Sequence, residues 1–222
     1  VVIAIDGPGG VGKSTVSERV AAALGLPHLD TGSTYRAAGM LALRRSPALD
    51  DPGIVADVIN DADIAIVEGV VTIDGVDVTE QLRGDEVTVA SSRVAAYPEV
   101  RARIVELQRQ WVREHGGSAV VEGRDIGTVV FPGALVKVFL TARPDVRAAR
   151  RSGDAEAAAK TQEQIAAELA ARDHADSTRA ASPLRPADDA VIVDTSDLGI
   201  DDVVGEILGI IDRREHERGH PH

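Results

Sequence analysis

The chain has 222 residues, with 24 Lys and Arg against 36 Asp and Glu, a net charge of −12, 44% hydrophobic residues and no cysteine. That length holds one substantial core, or a core with a small insertion, and excludes a disulfide-stapled miniprotein, thiolate catalysis and cysteine-ligated metals. The acid excess disfavours a protein that coats a nucleic-acid polymer, yet leaves room for a local basic pocket around one small phosphorylated ligand.

No run approaches the roughly 20 apolar residues of a membrane span. A secretory signal needs a basic stretch ahead of its apolar one, whereas this chain opens on an apolar run that ends at Asp6. A cytoplasmic protein that does not engage membranes is expected. The first residue is Val rather than Met, which suggests that a few residues precede it.

The segment VVIAID reads as a strand buried on both faces. It runs into GPGGVGKST, after which Val16, Val20, Ala23 and Leu24 recur at helical spacing. PHLD at 27–30 is a weak second strand, followed by helices predicted over about 33–44 and 54–62. From Ala65 to about Val89 the pattern changes to β-branched pairs separated by turns, with Asp74-Gly75 as a hairpin signal. Ile104, Leu107, Gln108 and Trp111 give one face of a helix over about 99–113, stopped by Gly116-Gly117.

AVVEGRD at 119–125 and VKVFLTA at 136–142 are further buried strands, and an arginine-rich segment with Arg143, Arg147, Arg150 and Arg151 follows. An alanine-rich helix is predicted to end near Ala171. AVIVD at 190–194 precedes a last helix striped by Val203, Val204, Ile207, Leu208 and Ile211. The tail EHERGHPH lacks periodicity and reads as disordered; His216, His220 and His222 offer at most a weak metal cluster. Five apolar strands alternating with helices predict a three-layer α/β domain around a parallel sheet.

Gly7 to Ser14 match G-x-x-x-x-G-K-[ST] between a strand and a helix. Gly7, Gly9, Gly10, Val11 and Gly12 let backbone N–H groups converge on phosphate oxygens. Lys13 reaches the β- and γ-phosphates, and the Ser14 hydroxyl joins a Mg²⁺ shell. Thr15 either borders the same phosphates or simply starts the helix. The helix N-terminus adds its partial positive charge. A switch GTPase would carry Asn-Lys-x-Asp, which does not occur here. A small ATP-dependent kinase is the economical reading, with another small-molecule kinase or a nucleotide-sensing module as rivals.

Four downstream stretches bear on the acceptor: LDTGSTYR at 29–36, SSRVAAYPEVR at 91–101, EGRDIGTVVFP at 122–132 and ARDHADSTRAASPL at 171–184. Arg36, Arg101, Arg124 and Arg179 lie in or beside segments that read as turns, and convergent guanidinium groups bind phosphate dianions through directional, charged hydrogen bonds. Together with the phosphate loop, these stretches closely resemble the bacterial cytidylate kinases of the nucleoside monophosphate kinase family, over nearly the whole chain.

The resemblance implies a P-loop kinase fold with a five-stranded parallel core sheet, a small β-rich monophosphate-side insertion and a mobile lid. It divides the chain into a core of 1–62 and 91–146, an insertion at 63–90, an arginine-rich lid and return helix at 147–178, the rest of the core at 179–214, and a tail at 215–222. It implies transfer of the γ-phosphoryl group of ATP to CMP or dCMP, with Mg²⁺, in a monomer. By resemblance Arg36 and Arg124 hold the acceptor phosphate, while Arg101 and Asp125 read cytosine. Asp176 and Arg179 stand near the pentose, or form an ordinary local ion pair.

Thr31 occupies the place of a small hydroxyl residue near the base or phosphate. Tyr35 packs on the acceptor nucleotide or in the core, and Ser92 contacts the base or starts a helix. Lys13, Arg124, Arg151 and Arg179 are the expected catalytic cations, with Arg147 and Arg151 on the donor phosphates and Arg150 and Arg172 as further clamp candidates. Glu122 departs from the Asp common before GRD, and the lid segment at 152–163 is short and alanine-rich.

Overall fold

The computed structural model describes residues 1–45, 49–67, 69–153 and 160–219. Eight strands and eight α-helices follow one another along these residues: β1 (Val2–Asp6), α1 (Lys13–Leu24), β2 (His28–Asp30), α2 (Thr31–Arg45), α3 (Pro52–Asn60), β3 (Ile64–Val67), β4 (Val70–Ile73), β5 (Val76–Asp77), α4 (Asp85–Val94), α5 (Pro98–Glu114), β6 (Ala119–Gly123), β7 (Val136–Thr141), α6 (Pro144–Ser152), α7 (Gln162–Thr178), β8 (Val191–Asp194) and α8 (Ile200–Gly219). A 3₁₀ turn covers Thr79–Arg83 and a single wide, π-type turn covers Ile126–Val130. No helix among the described residues is long and apolar enough to cross a membrane.

The chain forms two compact units. The first, from the described parts of 1–29, 115–178 and 182–222, holds the five-stranded sheet in the order β2-β6-β1-β7-β8. The β6–β1, β1–β7 and β7–β8 ladders are parallel. Consecutive apolar residues suit these strands because both faces of such a sheet are covered. Ile3, Ile5, Val138 and Leu140 pack with Val16 and Val20 of α1 and with Val203, Ile207 and Ile211 of α8. The β1–β6 register sets Ile5 beside Glu122 and Asp6 beside Gly123, so the segments that follow the two strands leave the sheet at the same level. Ligands of open α/β sheets bind at this carboxyl edge.

The second unit, from the described parts of 30–114 with 179–181, carries the antiparallel sheet β3-β4-β5 and helices α2 to α5. The Asp74-Gly75 hairpin has positive φ at both residues, 51° and 77°, as a two-residue I′ turn demands. The indole N–H of buried Trp111 donates to the Ile66 carbonyl at 2.9 Å and ties α5 to β3. α2 and α4 pack so closely that a Cβ on Gly39 would lie 2.6 Å from the Ser91 backbone nitrogen. The compact division sets α2, α3 and α5 with the 63–90 segment.

Three boundaries differ from the sequence reading. The β pattern expected up to Val89 gives way to α4 from Asp85, where Asp85 and Glu86 favour a helix N-terminus and Val87, Ala90, Ser91 and Val94 bury one helical face. α7 continues past Ala171 to Thr178, since no Gly or Pro interrupts it and the Thr178 hydroxyl donates to the His174 carbonyl at 2.7 Å. α8 extends through Gly219 into the expected tail, helped by an Arg214–Glu217 pair at 3.2 Å. His220, His222 and residues 154–159 of the expected lid lie outside the described residues.

The close α2–α4 approach predicts that Gly39→Ala forces backbone apart and lowers stability by about 1–3 kcal/mol. A urea denaturation midpoint unchanged from the parent would show that the helices separate without cost.

Candidate active site

The phosphate loop forms because β1 delivers its last residue to the carboxyl edge and glycine permits the tight turns beyond it. Gly10 and Gly12 take φ of 77° and 91°, a region that side chains strain. A Cβ on Gly7 would lie 2.4 Å from the Leu140 carbonyl oxygen, so the loop also needs glycine for close approach. α1 then begins at Lys13 with no acidic residue in its first turn and no side-chain cap. Its first N–H groups, and the positive end of the helix, are thereby left to the loop.

Lys13 is buried and donates from Nζ to the Pro8 carbonyl across the loop at 2.7 Å. Burial first, and then the neighbouring Arg124 cation, hold its ammonium well below the ordinary lysine range, while Glu122 acts in the opposite sense. The Ser14 hydroxyl donates to Glu122 Oε2 at 3.2 Å, and His28 Nε2 stands 3.2 Å from Glu122 Oε1. Glu122 is 2% exposed.

Arg124 and Asp125 follow β6 directly. Arg124 donates from Nη1 to the Gly7 carbonyl and from Nε to Asp176 Oδ2, each at 2.8 Å. The backbone carbonyl of buried Asp125 accepts from Val129 and Val130 in the wide turn. Asp6 accepts from the N–H groups of Ile126 and Gly127, both at 2.8 Å. Burial is the main cause that raises its pKa to about 6; the two N–H donors and Lys13 oppose this and the Asp125 charge adds to it.

The arginine-rich helix α6 faces the same loop. Arg147 donates from Nε to the Gly9 carbonyl at 2.6 Å and pairs with Asp173 of α7 at 2.5 Å. Arg150 donates to the hydroxyl and carbonyl of Thr195 at 2.8 and 2.5 Å, and Thr195 in turn donates to the Val11 carbonyl at 3.2 Å. A cavity of about 540 Å³ opens beside the loop, bounded by Lys13, Ser14, Thr15, Arg151, Thr195 and Val203 among others. The first unit thus brings together Gly7 to Thr15, Arg124, Asp125, Arg147, Arg151, Arg172 and Asp176.

The second unit gathers Thr31, Tyr35, Arg36, Ser92, Arg101 and Arg179. Arg36 and Arg101, expected in or beside turn-like segments, sit inside α2 and near the start of α5, the helices predicted over about 33–44 and 99–113. The reason for α5 is Pro98, which is pre-organised for a first helical turn. Asp30 holds the start of α2, accepting from Gly32 N–H at 2.8 Å and pairing with Arg36 at 2.6 Å. Behind it the buried Gln108 donates to the Thr34 hydroxyl at 2.9 Å, which donates to the Thr31 carbonyl at 2.6 Å.

Arg101 is 4% exposed, donates to the Ala95 carbonyl and lies 5.3 Å from the Tyr35 ring centroid, within cation–π range. Ser92 lies late in α4, which removes the helix-start alternative; its hydroxyl and that of Ser91 both donate to the Thr88 carbonyl.

Asp6, Asp30, His28 and Thr195 were not singled out from the sequence as site residues, and Gln108 was read only as part of a helix face. A lone acid closing an apolar strand was a usable signal for Asp6, whereas nothing local marks Thr195, whose partners lie 45 and 184 residues away.

A parallel sheet whose first strand feeds a glycine loop, a buried lysine and an open helix N-terminus defines a P-loop nucleotide-binding protein. The fold agrees with that class: a shikimate kinase from Bacteroides thetaiotaomicron superposes with a TM-score of 0.52 over 96% of this chain and 98% of its own at 14% identity. The family model for cytidylate kinase matches residues 3–213. Cytidylate kinases of Rhodococcus opacus strain B4 and Streptomyces avermitilis are 48% and 46% identical over 96% of this chain, covering 96% and 94% of their own lengths. The chain belongs to the cytidylate kinase family.

Because the folded pKa of Asp6 lies above its ordinary value of 3.8, the stability it contributes is complete below about pH 4 and is lost as pH rises through about 6. The stability difference between the parent and Asp6→Asn should therefore fall by on the order of 2–3 kcal/mol between pH 4 and pH 7. Urea midpoints of both proteins across that range check it, and a pH-independent difference refutes it.

Proposed function

We propose that the chain transfers the γ-phosphoryl group of ATP to CMP, with dCMP as an alternative acceptor, giving ADP and CDP or dCDP. The observation that carries this reading is the pairing of an intact phosphate loop with the Arg124-Asp125 turn at the ends of adjacent strands, in a chain of the cytidylate kinase family. The acceptor phosphate is itself the nucleophile, since its second pKa is about 6 and it is largely dianionic near neutral pH. One acceptor oxygen forms a bond to the γ-phosphorus as the bond to the bridging β-oxygen breaks, and no general base is required. What the protein must supply is alignment and positive charge.

Lys13 and the loop N–H groups would bind the β- and γ-phosphates, and nucleotide charge would favour the Lys13 ammonium that burial disfavours. The cavity beside the loop, with Thr195 and the apolar Leu198, Ile200 and Val203, suits the adenosine end of the donor. Arg147 and Arg151 are proposed for the donor phosphates. Arg36 and Arg124 are proposed for the acceptor phosphate, Arg101 and Asp125 for the cytosine edge, and Asp176 and Arg179 for the pentose. Thr31, Tyr35 and Ser92 complete the acceptor side. Arg124 and Asp176 already share a hydrogen bond, so a sugar hydroxyl would join a pair in place.

The hydroxyl of Ser14 against the buried carboxylate of Glu122 is a pair of hard oxygen donors that fits Mg²⁺. Among the described residues no group of three or more His, Cys, Asp or Glu could hold a metal alone. The ion would therefore rely on nucleotide phosphates, as magnesium sites of this class do. When bound it would neutralise phosphate charge. We also propose a cytoplasmic monomer without nucleic-acid polymers or membranes as partners, in keeping with the net charge of −12.

Initial rates with Mg-ATP against CMP, dCMP, UMP, AMP and GMP, followed by product separation, should show CMP and dCMP as the preferred acceptors. Absence of turnover with ATP bound would move the reading to another acceptor or to a nucleotide sensor. Lys13→Ala should lower kcat by roughly 10²–10³-fold with CMP, the scale of losing one group that stabilises developing charge; an unchanged kcat would remove Lys13 from the reacting phosphates.

A further inference from the structure

We propose that Asp6 is a positioning residue for the turn that carries Arg124 and Asp125, holding that turn in register with the phosphate loop. This inference rests on the acceptor-side reading of those two residues. Asp6 closes an otherwise apolar strand and is 4% exposed. A carboxylate persists in such surroundings when donors satisfy its oxygens. Here the N–H of Ile126 meets Oδ1 and the N–H of Gly127 meets Oδ2. These are the first two residues of the wide turn, and the first N–H groups of a helical turn have no acceptor within it. The acid and the turn each satisfy what the other lacks.

The grip is reciprocal. Arg124, two residues before Ile126, donates to the carbonyl of Gly7, the residue after Asp6. Three hydrogen bonds of 2.8 Å therefore lace residues 6–7 to residues 124–127, where the register already aligns Asp6 with Gly123. Gly127 is seated from the other side as well: a Cβ there would stand 3.1 Å from Lys137 Cδ and 3.4 Å from Asp6 Oδ2. The turn has little room to shift while Asp6 is in place. Asp6 acts through Arg124 and Asp125 and is assigned no contact with the substrate. An amide at this position would accept from one N–H and set its own donors against the other, so Asp6→Asn is a half-strength version of Asp6→Ala.

The test uses the full chain carrying Asp6→Ala or Asp6→Asn. In Asp6→Ala the amides of Ile126 and Gly127 should exchange with solvent about tenfold faster or more, while those of the β1–β6 ladder keep their protection. The KM for CMP should rise by about tenfold and the CMP/UMP ratio of kcat/KM should narrow, with the Kd for ATP from titration calorimetry moving by less than about threefold. Asp6→Asn should fall between parent and alanine variant.

Unchanged exchange at Ile126 and Gly127 overturns the proposal. So does released exchange with CMP kinetics within about twofold of the parent, or an equal loss of ATP and CMP binding, which marks a purely structural acid. If Asp6→Ala fails to fold, the same criteria apply to Asp6→Asn. Asp125→Ala is measured alongside: an unchanged CMP/UMP ratio there sinks the base-reading role of Asp125, and Asp6 is then judged on exchange and the KM for CMP, which reports on Arg124.

Discussion

The parallel register of β1 against β6 is the constraint on which the first unit depends. It ends both strands at one level and sets Asp6 beside Gly123, so the phosphate loop and the Arg124 turn emerge as neighbours. Backbone donors and carbonyls gathered at such an edge have no ladder partners, and those not left open to a ligand have to be met by side chains or water. Asp6 and Arg124 do this in opposite senses, one accepting and one donating. A slip of one residue along the sheet would turn every side chain of β1 over and part both pairs.

The same edge concentrates positive charge in a protein whose overall charge is strongly negative. Lys13, Arg124, Arg147 and Arg172 converge near the loop, and Lys13 feels both Arg124 and Arg172 as repulsion. Carboxylates hold the crowd together: Glu122 acts on Lys13, Asp176 pairs with Arg124, and Asp173 pairs with Arg147. A local cationic pocket of this kind suits an anionic small molecule.

In the second unit, order comes from buried hydrogen bonds and close helix packing. The Gln108–Thr34–Thr31 chain and the Asp30 carboxylate fix the first turns of α2, where Thr31, Tyr35 and Arg36 lie. The glycine at position 39 lets α4 pack directly on α2, and Trp111 secures the small sheet to α5. Arg101 is held by a carbonyl and an aromatic face, a geometry that fixes a guanidinium plane.

Sequence alone determined the features whose signals are local. Apolar runs gave β1, β6, β7 and β8, glycine spacing gave the phosphate loop, and Asp74-Gly75 gave the hairpin, since each depends on residues within one or two turns of chain. The helical face of α4 was also present as Val87, Ala90, Ser91 and Val94, but β-branched neighbours obscured it. Tertiary structure decided the rest. That α2 to α5 form a unit of their own and that Asp6 grips residues 120 and 121 positions away follow from packing and register. Such pairings join residues far apart in the chain, and no spacing within a single element encodes them.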